Sequence, residues 1–168
     1  MHALMQHLDF AEVPDIATIE RQARSLFDQG ILTEEAYQSL DVRNVWRFVS
    51  SALGRRLREA KRVYRELPFG RLLPAKKYYK EAQDEADRIF LQGIIDVLFE
   101  EENGDYILLD YKTDRHISPQ DARTRYQFQI DLYCDAVETI LGRPVKECYL
   151  FLLDTGREVR MERQAASA

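Results

Sequence analysis

The sequence has little cysteine and no long apolar run, and both absences restrict what the protein can be. Cys134 and Cys148 are the only cysteines in 168 residues. Two are too few for the disulfide framework of a small secreted protein, so we expect a cytoplasmic location. They also cannot supply the four thiolates that iron–sulfur clusters usually need, so we expect no such cluster. With no apolar run of membrane-spanning length and no leader-like start, we expect neither membrane association nor a signal peptide.

The sequence also lacks a GxxxxGK[ST] phosphate loop and an excess of positive charge. Without that loop, we expect no ATP hydrolysis from these residues. The net charge of −5 argues against a broadly basic surface. Positive charge is instead concentrated in residues 43–80, which contain 12 Lys or Arg residues and two Glu residues.

The basic segment 43–80 also contains aromatic residues, and two interpretations of it remain open. The aromatic residues are Trp46, Phe48, Tyr64, Phe69, Tyr78 and Tyr79. Such a segment could follow a phosphate backbone and stack on unpaired bases. A solvated basic helix followed by an edge strand fits the composition equally well.

The content of hydrophobic residues, 45%, is enough for one folded α/β domain of this length. We expect residues 1–60 to be mainly helical, residues 61–162 to form an α/β core, and residues 163–168 to form a loose tail. Short periodic patterns predict a helix at the start of the chain that includes His2 and His7.

Capping residues predict the longer helices and set their order. We expect helices from Asp15 to Gln29, from Thr33 onward, from Asp41 to about Ala60, and from Ser118 to Gly142, with Pro119 in its first position. Residues 62–73 look extended but broken by Pro68 and Gly70. Residues 78–99 contain the next strand, and Val145 to Leu153 form a short apolar strand in a mixed sheet of about four or five strands.

Residues 89–99 and 105–112 alternate apolar and polar side chains around Asn103 and Gly104, which predicts a β-hairpin. A two-residue Asn-Gly turn would mix the two faces. A three-residue loop, with Gly104 in the left-handed conformation, instead pairs Asp96 with Asp110. In that register Ile95, Val97 and Phe99 meet the apolar residues of the second strand, while Asp96 shares a face with Asp110 and Lys112.

Two converging carboxylates repel each other, and burying both is costly unless a cation or a proton neutralises one. Hard oxygen ligands suit Mg²⁺ or Mn²⁺, which polarise phosphate oxygens and activate water. Lys112 could position that water or stabilise negative charge in a transition state. An acid and a lysine on a strand are more often a solvated surface. Here both acids lie in apolar strands, where unpaired charge is disfavoured.

Five short motifs occur in a fixed order along the chain. They are His2 to His7 (HALMQH), Arg65 to Phe69 (RELPF), Gly93 to Asp96 (GIID), Leu109 to Asp114 (LDYKTD) and Gln129 to Tyr133 (QIDLY). This order resembles the RecB-like nucleases of the PD-(D/E)XK superfamily, in which GxxD, DYK and QxxxY follow one another. The resemblance covers nearly the whole chain. It implies a restriction-endonuclease-like core with a central mixed β-sheet flanked by helices and an N-terminal helical region.

The resemblance also implies roles for individual residues. Asp96 and Asp110 would be metal ligands, together with the backbone carbonyl of Tyr111 and the imidazole of His2, and Lys112 would be the catalytic lysine. Three further residues match positions near the site: Glu66, Gln129 and Tyr133. Gln129 and Tyr133 are four residues apart and so share a helical face, although core packing is the more common role for such a pair. Because His2 is near the start of the sequence, we expect it to be held less firmly than the rest.

The function implied is a Mg²⁺- or Mn²⁺-dependent exonuclease that cuts single-stranded DNA within a helicase-nuclease of double-strand-break repair. Its partners would be DNA, the remainder of the helicase chain and a second nuclease subunit. Two alternatives stay open. One is a catalytically idle DNA-binding or docking module with a nuclease fold, and the other is a stand-alone RecB-like exonuclease.

Overall fold

The structure is a computed structural model that describes residues 1–13, 15–75 and 87–163. Its centre is a mixed five-stranded sheet in the order β1-β2-β3-β4-β5. Short helices from the first 60 residues cover one face, and one long helix covers the other. The predicted α/β fold with a mixed sheet and an N-terminal helical region is confirmed. No helix among the described residues is both long enough and apolar enough to cross a membrane.

Two of the N-terminal helices, α2 and α3, begin where the capping side chains of Asp15 and Thr33 predict them. Helix α1 spans His2–His7, a 3₁₀ turn spans Phe10–Glu12, α2 spans Ile16–Asp28 and α3 spans Glu34–Gln38. The Asp15 carboxylate accepts a hydrogen bond from the Thr18 N–H at 2.8 Å, and the Thr33 hydroxyl accepts one from the Ala36 N–H at 3.2 Å. Each cap satisfies an N–H that the first turn leaves without a partner.

The single helix predicted from Asp41 to Ala60 is wrong, because the chain breaks at Ser51. Helix α4 spans Val42–Ser50 and α5 spans Ala52–Arg58. Ser51 is extended, and its hydroxyl accepts a hydrogen bond from the Gly54 N–H at 3.0 Å, so it caps the second helix. A Cβ on Gly54 would lie only 2.1 Å from the Phe48 carbonyl oxygen. The glycine therefore permits the close approach of the two helices at the break.

Strand β1 spans Arg62–Pro74 and pairs antiparallel with β2, Arg88–Glu100. The prediction that Pro68 and Gly70 interrupt β1 is wrong. Because β1 is an edge strand, it has a side without a partner strand, where proline's missing N–H costs no ladder hydrogen bond. The part of the predicted second strand that covers residues 78–86 lies outside the described residues.

The hairpin between β2 and β3, Tyr106–Lys112, has the predicted register. Val97 pairs with Leu109, and the Glu101 N–H donates to the Asp105 carbonyl at 2.9 Å. Gly104 closes the three-residue loop with a φ of +86°, a conformation that glycine adopts at little cost. The turn chemistry thus fixes which residues of the two strands face each other.

One detail of the predicted faces is wrong, because the strands change face at Glu66. Val97 and Phe99 pack with the N-terminal helices, but Ile95 packs with Leu98 on the opposite face. Glu66, beside Asp96 across the β1–β2 pair, has a φ of +50° and interrupts the alternation. Asp96 therefore lies at the point where the side chains of β2 exchange faces.

The remaining elements complete the sheet around β3. Helix α6, Pro119–Leu141, leads to β4, Val145–Leu152, which runs parallel to β3. The Ser118 hydroxyl caps α6 by accepting from the Asp121 N–H at 3.0 Å, and Gly142 ends it with a φ of +64°. Strand β5, Arg157–Met161, pairs antiparallel with β4. Strand β5 was not predicted from the sequence.

Candidate functional site

The candidate site lies where β2 and β3 separate. The last paired residues of the hairpin are Val97 and Leu109. Beyond them, the Asp96 carboxylate of β2 is the hydrogen-bond acceptor for the backbone of β3. Asp96 Oδ2 accepts a hydrogen bond from the Tyr111 N–H at 2.8 Å. The carboxylate is thereby fixed beside β3, with its side chain 13% exposed. The Tyr111 ring is buried edge-on against Phe48, so the strand cannot shift easily.

Asp110 and Lys112 form a nearly buried ion pair at the end of β3. Asp110 is 3% exposed, and Lys112 Nζ lies 2.6 Å from Asp110 Oδ2. The contact is an ion pair rather than a well-directed hydrogen bond, because Oδ2 has no hydrogen-bond partner of suitable geometry in the described part of the chain. Burial raises the pKa of Asp110 to about 6; the Lys112 charge opposes the rise and the Asp96 charge adds to it. The arrangement holds negative charge that an additional cation would stabilise.

Helix α6 contributes a short hydrogen-bond relay to Lys112. Lys112 Nζ donates to Gln129 Oε1 at 2.6 Å, and Gln129 Nε2 donates to the Tyr133 hydroxyl at 3.0 Å. Gln129 and Tyr133 are one helical turn apart, as the i, i+4 spacing predicts. Burial, followed by the charges of Asp110 and Asp96, raises the pKa of Tyr133. The relay holds the lysine ammonium group from the side of the helix.

His2 and Glu66 approach Asp96 from α1 and β1. His2 Nδ1 lies 3.6 Å from Asp96 Oδ2, and the interaction with this carboxylate is the main cause that raises the pKa of His2. Glu66 is half-buried; desolvation first, and then the charge of Asp96, raise its pKa. The structure therefore brings all eight predicted site residues into one region. Their side chains or backbones come from α1, β1, β2, β3 and α6.

Several residues that shape this region were not assigned a role from the sequence. Tyr126 lies under Lys112, with Nζ 4.1 Å from the ring centroid, and its hydroxyl donates to Asp114 Oδ2 at 2.6 Å. Its spacing of three and seven residues from Gln129 and Tyr133 was a usable signal. Arg65 Nη1 donates to the carbonyls of Gln6 and Leu8 at 3.0 and 2.7 Å, and so fastens the end of α1. No local pattern in the sequence indicates that contact.

The basic segment 43–80 is not a free cationic surface in its described part. Arg56 bonds to Glu101 and Glu147, and Arg71 bonds to Asp135. Arg58 and Arg65 donate to backbone carbonyls. Most of the positive charge here therefore has an internal structural partner. Lys76, Lys77, Tyr78, Tyr79 and Lys80 lie outside the described residues.

The donor atoms at the site suit a hard divalent cation. Two carboxylates, Asp96 and Asp110, converge here, and the buried Oδ2 of Asp110 lacks a directed hydrogen bond. Mg²⁺ and Mn²⁺ prefer such oxygen ligands, and Mg²⁺ is usually held by one or two carboxylates with water and substrate phosphate completing its shell. Across the described residues, no group of three or more His, Cys, Asp or Glu side chains forms a ready-made metal cage.

Both the family model and the similar proteins relate this chain to nucleases. The model of the PD-(D/E)XK nuclease superfamily matches residues 1–168. The chain is 43% identical to the A subunit of the ATP-dependent helicase/nuclease of Heliobacterium modesticaldum, over 96% of this chain and 12% of that protein. It is 38% identical to the protein of the same name from Bacillus velezensis, over 93% of this chain and 13% of that protein.

The chain thus spans only 12% to 13% of the length of these relatives. Among solved structures, the crystal structure of SSO0001 aligns with a TM-score of 0.44 and 12% identity, over 92% of this chain and 66% of that chain. That likeness is too remote to bear on fold or function.

Proposed function

The chain belongs to the PD-(D/E)XK nuclease superfamily, and from this premise we propose that it is a metal-dependent DNA exonuclease domain that hydrolyses phosphodiester bonds of single-stranded DNA. The observation that carries the proposal is the meeting of Asp96, Asp110 and Lys112 where β2 and β3 separate. Together they provide the charges that phosphodiester hydrolysis needs. The two carboxylates can bind a metal ion, and the lysine ammonium group supplies a positive charge from the protein itself.

We propose that Asp96 and Asp110 hold Mg²⁺ or Mn²⁺, with His2 and the Tyr111 carbonyl completing the protein's share of the ligands. The ion would supply polarisation of a phosphate oxygen and a lowered pKa for a bound water. The hydrogen bond from the Tyr111 N–H keeps one oxygen of Asp96 oriented before any ligand arrives. Glu66, which is half-buried beside Asp96, is proposed to lie at the edge of the same shell.

Lys112 is proposed to orient the attacking water and to stabilise negative charge that develops on the phosphate. Its ammonium is held on two sides, by Asp110 and by Gln129, both at 2.6 Å. Tyr133 donates nothing to this contact, but its hydroxyl accepts from the Gln129 amide and so fixes which way the amide faces. A side chain held in this way loses little freedom as the reaction proceeds, which is the basis of electrostatic preorganisation.

The proposed setting is a helicase-nuclease that resects double-strand breaks. Relatives that are 38% to 43% identical are named as parts of an ATP-dependent helicase/nuclease, and this chain matches only a small part of each. In such a setting the rest of the helicase chain would unwind DNA and deliver a single strand to the nuclease site. A second nuclease subunit would act on the other strand.

The first test is cleavage of end-labelled single-stranded DNA by the purified chain in Mg²⁺ or Mn²⁺. We expect cutting that requires the divalent ion and falls by about 100-fold or more in Asp110→Ala and in Lys112→Ala, since each removes a charge that stabilises the transition state. Lys146→Ala is the matched control, because Lys146 forms a 3.4 Å ion pair with Asp105 at the other end of the hairpin. This variant should cut normally.

The alternatives predict different results in the same assay. A catalytically idle module would bind DNA without cutting it. In Mn²⁺ calorimetry its wild type and Asp110→Ala would then give the same heat, with no Mn²⁺ binding that depends on Asp110. A stand-alone exonuclease would digest long strands processively without a motor. Cutting that survives both Asp110→Ala and Lys112→Ala would reject the assignment of the site.

A further inference from the structure

Lys112 has a third neighbour besides Asp110 and Gln129, and the proposed function leaves that neighbour without a role. The ammonium nitrogen lies 4.1 Å from the centroid of the Tyr126 ring. An ammonium over an aromatic face is attracted by the electron density of the ring, and more so where water is excluded. The Lys112 side chain is only 13% exposed, so this contact is largely desolvated.

Asp114 fixes the orientation of that ring. The Tyr126 hydroxyl donates to Asp114 Oδ2 at 2.6 Å, and Arg125 Nη1 donates to Asp114 Oδ1 at 2.7 Å. Asp114 follows β3 by two residues, and Tyr126 lies on α6, so the bond joins the two elements that flank Lys112. These contacts make one chain of interactions from Asp114 through Tyr126 to the ammonium group.

We propose that Tyr126 and Asp114 are positioning residues for Lys112: the ring supports the ammonium group, and the carboxylate holds the ring in place. Asp110, Gln129 and the Tyr126 ring then surround the ammonium group on three sides, and the remaining direction is left for substrate. The inference rests on the proposed nuclease function, since the proposed task of these residues is to orient the ammonium group of the catalytic lysine. Neither residue contacts the reacting atoms in this role.

The rival explanation is ordinary packing, because Tyr126 also lies against the apolar core between α6 and the sheet. Steady-state kinetics on single-stranded DNA separates the two. We expect Tyr126→Leu to lower kcat by about tenfold with KM within about twofold, since a desolvated ring–ammonium contact is worth about that much. Tyr126→Phe keeps the ring but not the hydroxyl, and should lower kcat by only about threefold.

Asp114→Ala should resemble Tyr126→Phe, because each removes the same hydrogen bond. The double variant Asp114→Ala/Tyr126→Phe should then have a kcat no lower than that of the slower of these two single variants, as expected for two residues that act through one contact. Tyr106→Leu is the matched control: Tyr106 is buried in the same apolar cluster but at the far end of β3. It should lower the melting temperature and leave kcat unchanged.

A second measurement does not depend on cleavage. In NMR spectra of the metal-free chain with ¹³C-labelled lysine, the ring current of Tyr126 should shift the Lys112 ε-methylene protons upfield, and Tyr126→Leu should abolish the shift. An upfield shift in a chain that cuts no DNA would support the contact and reject the nuclease function. Ordinary lysine shifts in the wild type, or a Tyr126→Leu variant that loses stability but keeps kcat, would overturn the inference.

Discussion

The Asp96 carboxylate accepts a hydrogen bond from the Tyr111 N–H at 2.8 Å, at the position where the β2–β3 ladder has ended. The Asp96 side chain of β2 thus accepts the hydrogen bond from β3 that a backbone carbonyl of β2 would accept if the ladder continued. The same carboxylate is a proposed metal ligand. One carboxylate of Asp96 therefore has two roles, the hydrogen bond to the Tyr111 N–H and the proposed binding of the metal. Different substitutions of Asp96 can separate the effects of these roles.

We predict that Asp96→Ala and Asp96→Asn differ in stability but not in metal binding. Alanine leaves the Tyr111 N–H without its acceptor, which should cost about 1 to 3 kcal/mol of unfolding free energy. Asparagine keeps an oxygen in place and should retain most of that stability. Both should lose Mn²⁺ binding. Urea unfolding in EDTA measures the first effect and calorimetry the second; equal unfolding free energies for the two variants would contradict the prediction.

The features of the fold that sequence could predict are those set by short-range chemistry. Gly104 and the alternation of apolar residues fixed the hairpin register, and with it the approach of Asp96 to Asp110. Ser118, Pro119 and Gly142 marked both ends of α6. In each case one residue type is required by the local backbone, so the signal is present in the sequence itself.

The features that could not be predicted depend on contacts between distant residues. Ile95 and Val97 lie on opposite faces of β2 beside Glu66, which has a positive φ, yet no glycine marks the position. The break at Ser51 depends on how closely Gly54 approaches Phe48. The two interpretations of the basic segment could not be separated, because its partners Glu101, Glu147 and Asp135 come from the β2–β3 loop, from β4 and from α6.

The buried carboxylate of Asp110 should make the stability of the metal-free chain depend on pH. Burial raises its pKa to about 6, above the value of about 3.9 expected in the unfolded chain. The folded state therefore binds this proton more tightly, and the group's favourable contribution at low pH is lost as pH rises from about 4 through about 6. Asp110→Asn removes the titration. Its stability relative to wild type should increase by about 2 kcal/mol between pH 4.5 and pH 8.

Urea unfolding in EDTA at several pH values tests this prediction. Asp105→Asn is a suitable control, since Asp105 is a partly exposed acid at the other end of the same hairpin. A constant difference between Asp110→Asn and wild type across this pH range would show that the carboxylate is not destabilised by burial.

Arg65 should control metal affinity through α1 although it lies outside the proposed ligand shell. Its guanidinium donates to the carbonyls of Gln6 and Leu8 and lies 4.5 Å from the Phe10 ring centroid. Lysine has no planar guanidinium group to stack on the Phe10 ring, so Arg65→Lys should loosen the helix that carries His2. We expect Mn²⁺ affinity to fall by about threefold to tenfold, the equivalent of about one hydrogen bond.

His2→Ala provides the test of that route. If Arg65 acts through His2, Arg65→Lys should weaken Mn²⁺ binding in the wild type but not in the His2→Ala background. Arg62→Lys is the matched control on the same strand, because Arg62 is exposed and lies 4.0 Å from Glu100. A further loss of affinity in the His2→Ala background would show that Arg65 acts on the site by another path.

Gly93 is predicted to be required for the space around Tyr133 rather than for its backbone conformation. A Cβ at this position would lie 2.8 Å from Phe69 Cε1 and 3.5 Å from Tyr133 Cε1, and the two rings already pack edge to face at 5.3 Å. Gly93→Ala should therefore push Phe69 against Tyr133 and disturb the hydrogen bond between Tyr133 and Gln129. We expect a loss of about 1 to 3 kcal/mol in unfolding free energy, as overpacking usually costs, and a lower kcat.

The cause can be isolated by a second substitution that restores space. Phe69→Leu in the Gly93→Ala background should recover most of kcat, because the smaller side chain removes the atom that an alanine Cβ would strike. Gln92→Ala, at the exposed neighbouring position, should leave both kcat and unfolding free energy unchanged. If Phe69→Leu does not rescue Gly93→Ala, crowding of the ring is not the reason for the glycine, and the backbone of β2 at this position must itself require it.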